Sequence, residues 1–207
     1  MTTYISIDVA TKSLAIGIYS MNLNLKTKSN INDHENISFI ERMHKIDTLI
    51  VPLFVNVFDI AKGKNAKDTN IFDKAGSLKE VLTSIDSMMK SLLVESNIIV
   101  LVEYQMNANH LSNSIYNMII YHYSNVYPIH IMMPAKKNKI YLHPILKLST
   151  FLGYSSSNYK ANKEHAKYNF LYFMILFNHE KMLIDIKKNN LDDIADTFMQ
   201  MIAFHIL

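Results

Sequence analysis

Residues 4–20, YISIDVATKSLAIGIYS, carry the reading on which the fold turns. Two runs rich in β-branched residues, about 3–9 and 14–20, flank a short polar turn at Thr11, Lys12 and Ser13. That is the pattern of a β-hairpin. Inside the first run, Asp8 stands where a central strand would carry an apolar side chain. An aspartate there can simply end the strand and cap the turn. It can also wait for a charge that comes to it.

Working outward, residues 22–36 (NLNLKTKSNINDHEN) read as a long exposed connection, and 37–44 as a third strand-like run. The stretch 61–76, AKGKNAKDTNIFDKAG, is polar enough for a loop. Leu78, Val81, Leu82, Ile85, Met88, Met89 and Leu92 then recur at helical spacing, with Ser77 as the expected N-cap and Glu80 completing a capping box. Residues 97–105, NIIVLVEYQ, form a continuous apolar run typical of a strand covered on both faces, and it closes on Glu103. Helices are expected from 107–124 and 158–178, a short strand from 127–133, a basic loop at 135–144, and a final helix from Leu191. The order of elements predicts an α/β domain spanning 1–207, with a mixed sheet flanked by helices.

Composition excludes several function classes. The 207 residues include only 4 glycines, too few for a glycine-rich nucleotide loop, and no cysteine. No apolar run reaches the roughly 18–20 residues needed to span a bilayer. The opening MTTYISIDVA lacks the basic region and cleavage site of a signal peptide, so a reducing compartment, cytosol or nucleus, is expected. The net charge of +3 comes almost wholly from lysine, which suits phosphate better than base edges.

The closing stretch 191–207, LDDIADTFMQMIAFHIL, sets Asp193 and Asp196 on one face of a helix whose remainder is apolar. Acids in a first turn offset the helix dipole. Yet neighbouring carboxylates at a packed surface repel unless a cation or proton intervenes. Asp8 on the first strand, Glu103 ending a central strand and the Asp193/Asp196 pair can converge into an all-oxygen site. Such a site suits Mg²⁺, with Mn²⁺ as substitute, and two such ions can hydrolyse a phosphodiester. Lys136, Lys137 and Lys139, and the helical face of Lys160, Lys163 and Lys167, are candidates for DNA phosphate contacts. His165, among the latter, is the histidine best placed for phosphate. The helix at 110–124 carries a surplus of apolar residues (Ile115, Tyr116, Met118, Ile119, Ile120 and Tyr123) that can bury in the core or form a two-fold contact.

ISIDVATKSLAIGIY, IIVLVEYQ and DDIADTF, in that order, resemble the RuvC-type Holliday junction resolvases of the RNase H-like superfamily, and in particular their poxviral branch. The resemblance implies a five-stranded sheet with strands 1–3 antiparallel and 4–5 parallel. It implies a Mg²⁺-dependent endonuclease that works as a homodimer on four-way DNA junctions, with Asp8, Glu103, Asp193 and Asp196 as catalytic metal ligands and Asp192 as a bystander. It also implies a role in viral DNA recombination and concatemer processing, in the host cytoplasm. The chain departs from the family at Ala10, where glycine is usual. The rival readings are an RNase H-type nuclease on RNA–DNA hybrids and a non-catalytic nucleic-acid-binding scaffold. A phosphotransferase of the sugar-kinase and actin type shares the first hairpin but needs two such lobes.

Overall fold

The computed structural model describes residues 1–21, 41, 50–65, 68–92, 97–105, 110–133 and 159–206. Its strands are β1 (Thr2–Val9), β2 (Ser13–Met21), β3 (Ile50–Asp59), β4 (Asn97–Glu103) and β5 (Ile129–Met132). Its helices are α1 (Ile71–Leu92), α2 (His110–Tyr123), α3 (Tyr159–Leu176) and α4 (Leu191–Ile206), with 3₁₀ turns at Glu180–Leu183 and Lys188–Asn190. None of these helices is long and apolar enough to cross a membrane.

The strands form one sheet in the order β3-β2-β1-β4-β5. β1–β2 and β2–β3 are antiparallel, whereas β1–β4 and β4–β5 are parallel, as expected. The hairpin turn closes through the Ala10 N–H to the Ser13 carbonyl at 3.0 Å. Among the described residues the only non-glycines with positive φ are Lys62 and Asn178, so alanine at position 10 sits in an ordinary conformation.

Among the described residues the third strand is Ile50–Asp59; the expected strand-like run 37–44 lies outside them apart from Glu41, which is helical. β3 is an edge strand, which is why Pro52 is tolerated in it. Pairing there skips Leu53, so a bulge sits opposite Ile18 and Tyr19. α1 also begins earlier than its periodicity implied. Asn70 is the cap, its side-chain oxygen accepting the Asp73 N–H at 2.8 Å, and Ser77 lies inside the helix, donating to the Asp73 carbonyl at 3.1 Å. At the other end of the chain, α3 stops in a Schellman turn: Asn178 takes φ 58°, and the His179 N–H reaches the Met174 carbonyl at 2.7 Å.

Strand alternation sorts the core into two layers. Ile5, Ile7 and Val9 of β1, Leu14, Ile16 and Ile18 of β2, and Val100 and Val102 of β4 pack under α1 and α2. Tyr4, Ala15, Tyr19 and Leu101 face the other way, against α3 and α4. Each fully buried Ile or Leu contributes about 1.5–3 kcal/mol relative to exposure. Ile115, Tyr116, Ile119 and Tyr123 of α2 are buried in the first layer, with Met118 and Ile120 half-buried against it. The surplus at that helix is therefore intramolecular core, and its large exposed ring is Tyr121.

Candidate active site

Asp8 belongs to the layer of Tyr4 and Ser6, because residues two apart on a strand share a face. Glu103 shares that face with Leu101. β1 and β4 run parallel with Ile7 opposite Val102, and the next step of that register sets Asp8 level with Glu103. The two carboxylates thus stand on adjoining strands, about 4.8 Å apart in backbone spacing, at the C-terminal rim of the sheet. Glu103 is buried and Asp8 half-buried.

The start of α4 is fastened over this rim. The Ser6 hydroxyl donates to the Thr197 carbonyl at 2.8 Å, and the Tyr19 hydroxyl lies 3.0 Å from Thr197 Oγ1. Thr197 Oγ1 also lies 2.8 Å from the Ile194 carbonyl, to which it donates, so Tyr19 is the donor in their pair. Burial pushes the Tyr19 phenol far above its ordinary range and keeps it protonated for that task. Gly17 is required here: a Cβ would run into the Tyr19 ring and the Thr197 hydroxyl. These contacts pin α4, one residue beyond Asp196, onto Ser6, two residues before Asp8 on β1, and onto Tyr19 of β2, which is level with Tyr4.

The α4 carboxylates meet a cation supplied by α3. Lys163 Nζ lies 3.2 Å from Asp192 Oδ2, 3.7 Å from Asp193 Oδ1 and 3.4 Å from Asp196 Oδ2. Asp196 is the most deeply buried of the three, with a side chain 6% exposed. Burial raises the Asp193 carboxyl above the usual aspartate value; the charges of Asp192 and Asp196 add to the rise and Lys163 opposes it. Carboxylates this close need positive charge between them, and an ammonium provides it.

Of the expected site residues, then, Asp193 and Asp196 are joined through Lys163, and Asp8 and Glu103 are set side by side on the rim beneath the same helix. Among the described residues no group of three or more His, Asp or Glu side chains has its donors drawn in around a single metal position. In donor chemistry the residues fit a hard divalent ion, being all carboxylate, and the three aspartates of α4 are grouped about the one positive charge of Lys163.

Two participants escaped the sequence reading. Asp192, taken for a bystander, makes the shortest of the three contacts to Lys163. Lys163, expected on the DNA face, instead has its ammonium among acids; nothing local marks it, because its partners lie about thirty residues on. On the same helix Lys160 is exposed and Lys167 pairs with Glu164 at 2.5 Å. His165 is fully buried, which removes it as a phosphate contact. Lys136, Lys137 and Lys139 lie outside the described residues. Tyr104 packs edge-on against Tyr116, their centroids 6.0 Å apart, as a half-buried structural ring.

No family model matches this chain, and no curated protein sequence does. Solved structures do match it. The fowlpox virus resolvase in complex with its substrate Holliday junction DNA superposes with a TM-score of 0.55 at 16% identity, covering 98% of this chain and 96% of that one. The Fowlpox virus Holliday junction resolvase alone gives 0.54 at 15% identity, covering 98% and 96%. RuvC from T. thermophilus, in complex with Holliday junction substrate, gives 0.52 at 10% identity, covering 98% and 94%. The chain therefore has the RuvC/RNase H-like fold over nearly its full length.

Proposed function

We propose that this chain is a structure-selective DNA endonuclease that resolves four-way junctions by paired nicks, with Asp8, Glu103, Asp193 and Asp196 as its catalytic acids. The observation that carries the reading is the arrangement at the sheet rim: Asp8 and Glu103 level on adjoining strands, under a helix start whose three aspartates share Lys163. The fold likeness to resolvases solved with junction DNA supports it.

Mg²⁺, with Mn²⁺ able to replace it, is the cofactor that suits Asp8, Glu103, Asp193 and Asp196; when bound, a pair of such ions supplies the charge that activates water and stabilises the departing oxygen. The protein's own part is placement. The Ser6–Thr197–Tyr19 hydrogen bonds hold α4 against β1 and β2, so Asp193 and Asp196 do not drift from Asp8. Lys163 keeps those aspartates together when no other cation is near. As a point charge among the acids, its ammonium can exchange a carboxylate partner for a phosphate oxygen when DNA is bound. Two opposed nicks need two such sites, so the working unit is a homodimer, and the substrate setting is viral recombination and concatemer processing in the host cytoplasm.

The test is cleavage of a four-way junction, a linear duplex and an RNA–DNA hybrid, with and without Mg²⁺, by the unmodified chain and Asp193→Asn side by side. Metal-dependent nicking of the junction alone, absent in the variant, is expected. Preferential cutting of the hybrid would replace this reading with an RNase H-type one, and tight junction binding without cutting under any metal would replace it with a binding scaffold.

A further inference from the structure

A second feature lies on the same face of the sheet as the acids and is not used by them. A cavity of about 270 Å³ opens between the β1–β2 turn, the end of β3 and the segment that leads into α4. The residues that line it include Lys12, Ser13, Lys187 and Asn190, which carry ammonium, hydroxyl and amide donors. Among the described residues neither ammonium has an ion-pair partner, in contrast to Lys163. Two acids also line the cleft. Asp59 is committed: its Oδ1 accepts the Ala61 N–H at 3.0 Å and its Oδ2 the Gly63 N–H at 2.7 Å. Asp185 is exposed at the rim.

The sheet register fixes where this cleft lies relative to the acids. Val57 is opposite Ala15, and Ala15 is opposite Asp8, so Val57, Ala15, Asp8 and Glu103 form one row across the sheet. Two strand spacings separate Val57 from Asp8, about 10 Å. Successive phosphates of one DNA strand lie roughly 6–7 Å apart along its backbone, about twice the rise per nucleotide along a duplex axis. A strand lying along the row with one phosphate at the acids therefore has another, about one or two nucleotides on, near the cleft.

We propose that this cleft is a second phosphate subsite, holding the backbone of the attacked strand about one or two nucleotides from the bond that is cut. The proposal rests on the nuclease reading and adds to it a direction for the DNA, from the acids toward β3. An anion fits the donors present: point charges and amide N–H groups bind phosphate without reading a base, which suits an enzyme that selects shape over sequence.

The experiment measures junction binding by the full chain, without metal, across a salt series. Lys12→Gln and Lys187→Gln are each expected to weaken binding about 5–10-fold near 0.1 M salt and to flatten the log–log salt slope by about one. Asp185→Asn tightens binding, Lys12→Arg keeps the slope, and Lys90→Gln, on α1 behind the sheet, changes nothing. A neutral methylphosphonate placed at each phosphate within four nucleotides of the cut weakens binding of the unmodified chain most at the first or second position. The same replacement costs the Lys12→Gln/Lys187→Gln variant nothing further. Unchanged slopes in both lysine variants, with the unmodified chain still cutting junctions, overturn the subsite and leave the nuclease standing. Failure of the unmodified chain to bind junction DNA overturns both.

Discussion

The two faces of the sheet are built from alternate residues of the same strands, yet they are chemically unlike. Toward α1 and α2, β1 and β2 present Ile5, Ile7, Val9, Leu14, Ile16 and Ile18, an unbroken aliphatic layer. Toward α3 and α4 the same strands present Tyr4, Ser6, Asp8, Ala15, Gly17 and Tyr19, with hydroxyls, a carboxylate and a bare backbone among the rings. Burying polar groups costs stability unless each is paired, so one face is arranged to hold the fold and the other to hold a charge. The difference teaches that stability and chemistry were separated by strand periodicity, one residue apart along the chain.

Substitutions that strip one face and spare the other break the comparison most sharply. Asp8→Asn, Glu103→Gln, Asp193→Asn or Asp196→Asn should lower Mg²⁺-dependent junction cutting by about 10³-fold, near 4 kcal/mol of barrier, while leaving thermal unfolding cooperative. Junction binding without metal should stay or tighten, since each change removes a charge that repels phosphate. Full cutting by any one variant would remove that residue from the site. On the opposite face, Ile7→Ala, one residue from Asp8, should cost about 2–5 kcal/mol of stability. At a temperature where it is folded, it should cut within a few-fold of the unmodified chain. If Ile7→Ala and Asp8→Asn had the same profile, the division of labour between faces would be false.

Gly17→Ala sharpens the comparison, because it adds a single methyl to the chemical face. That methyl meets the Tyr19 ring and Thr197, the contacts that seat α4. Overpacking of this kind costs about 1–3 kcal/mol. Here it should also reduce cutting by more than its stability loss explains, since α4 carries two of the acids. Cutting that tracks the folded fraction alone would show that the seat of α4 does not tune the site.

Much of this was legible in the residues. The hairpin, the buried run to Glu103 and the capping of a packed helix by acids are local patterns, and the sheet assembled as they implied. What escaped was set by distant partners. Ser77 followed by Glu80 makes a good capping box, but Asn70 caps a longer helix because Ile71 and Lys74 also find places at its start. The strand at 50–59 hid behind Pro52, which reads as a breaker until the strand is known to be an edge. Lys163 looked like one of three lysines along a helix face, and only the arrival of α4 distinguishes it.

The smallest expected effect is the one that ties the two faces together, because it asks whether the chemical face is held at a cost to stability. Asp193 has its carboxyl raised first by burial and then by Asp192, with Lys163 opposing. The folded chain therefore holds this proton more firmly than the unfolded chain does. Stability falls as pH climbs from the ordinary aspartate value, about 4, through the raised one, and the loss is complete above it. Asn cannot ionise, so Asp193→Asn should melt a few degrees higher than the unmodified chain at pH 7 and at the same temperature below pH 4 or so. Lys163→Gln should move the other way at pH 7, because three carboxylates would then face one another without their ammonium. Added Mg²⁺ should raise the melting temperature of the unmodified chain more than that of Asp193→Asn. Melting curves across pH that superpose for the unmodified chain and Asp193→Asn would mean the aspartates are comfortable as they stand, and the case for a site strained toward a cation would rest on Asp8 and Glu103 alone.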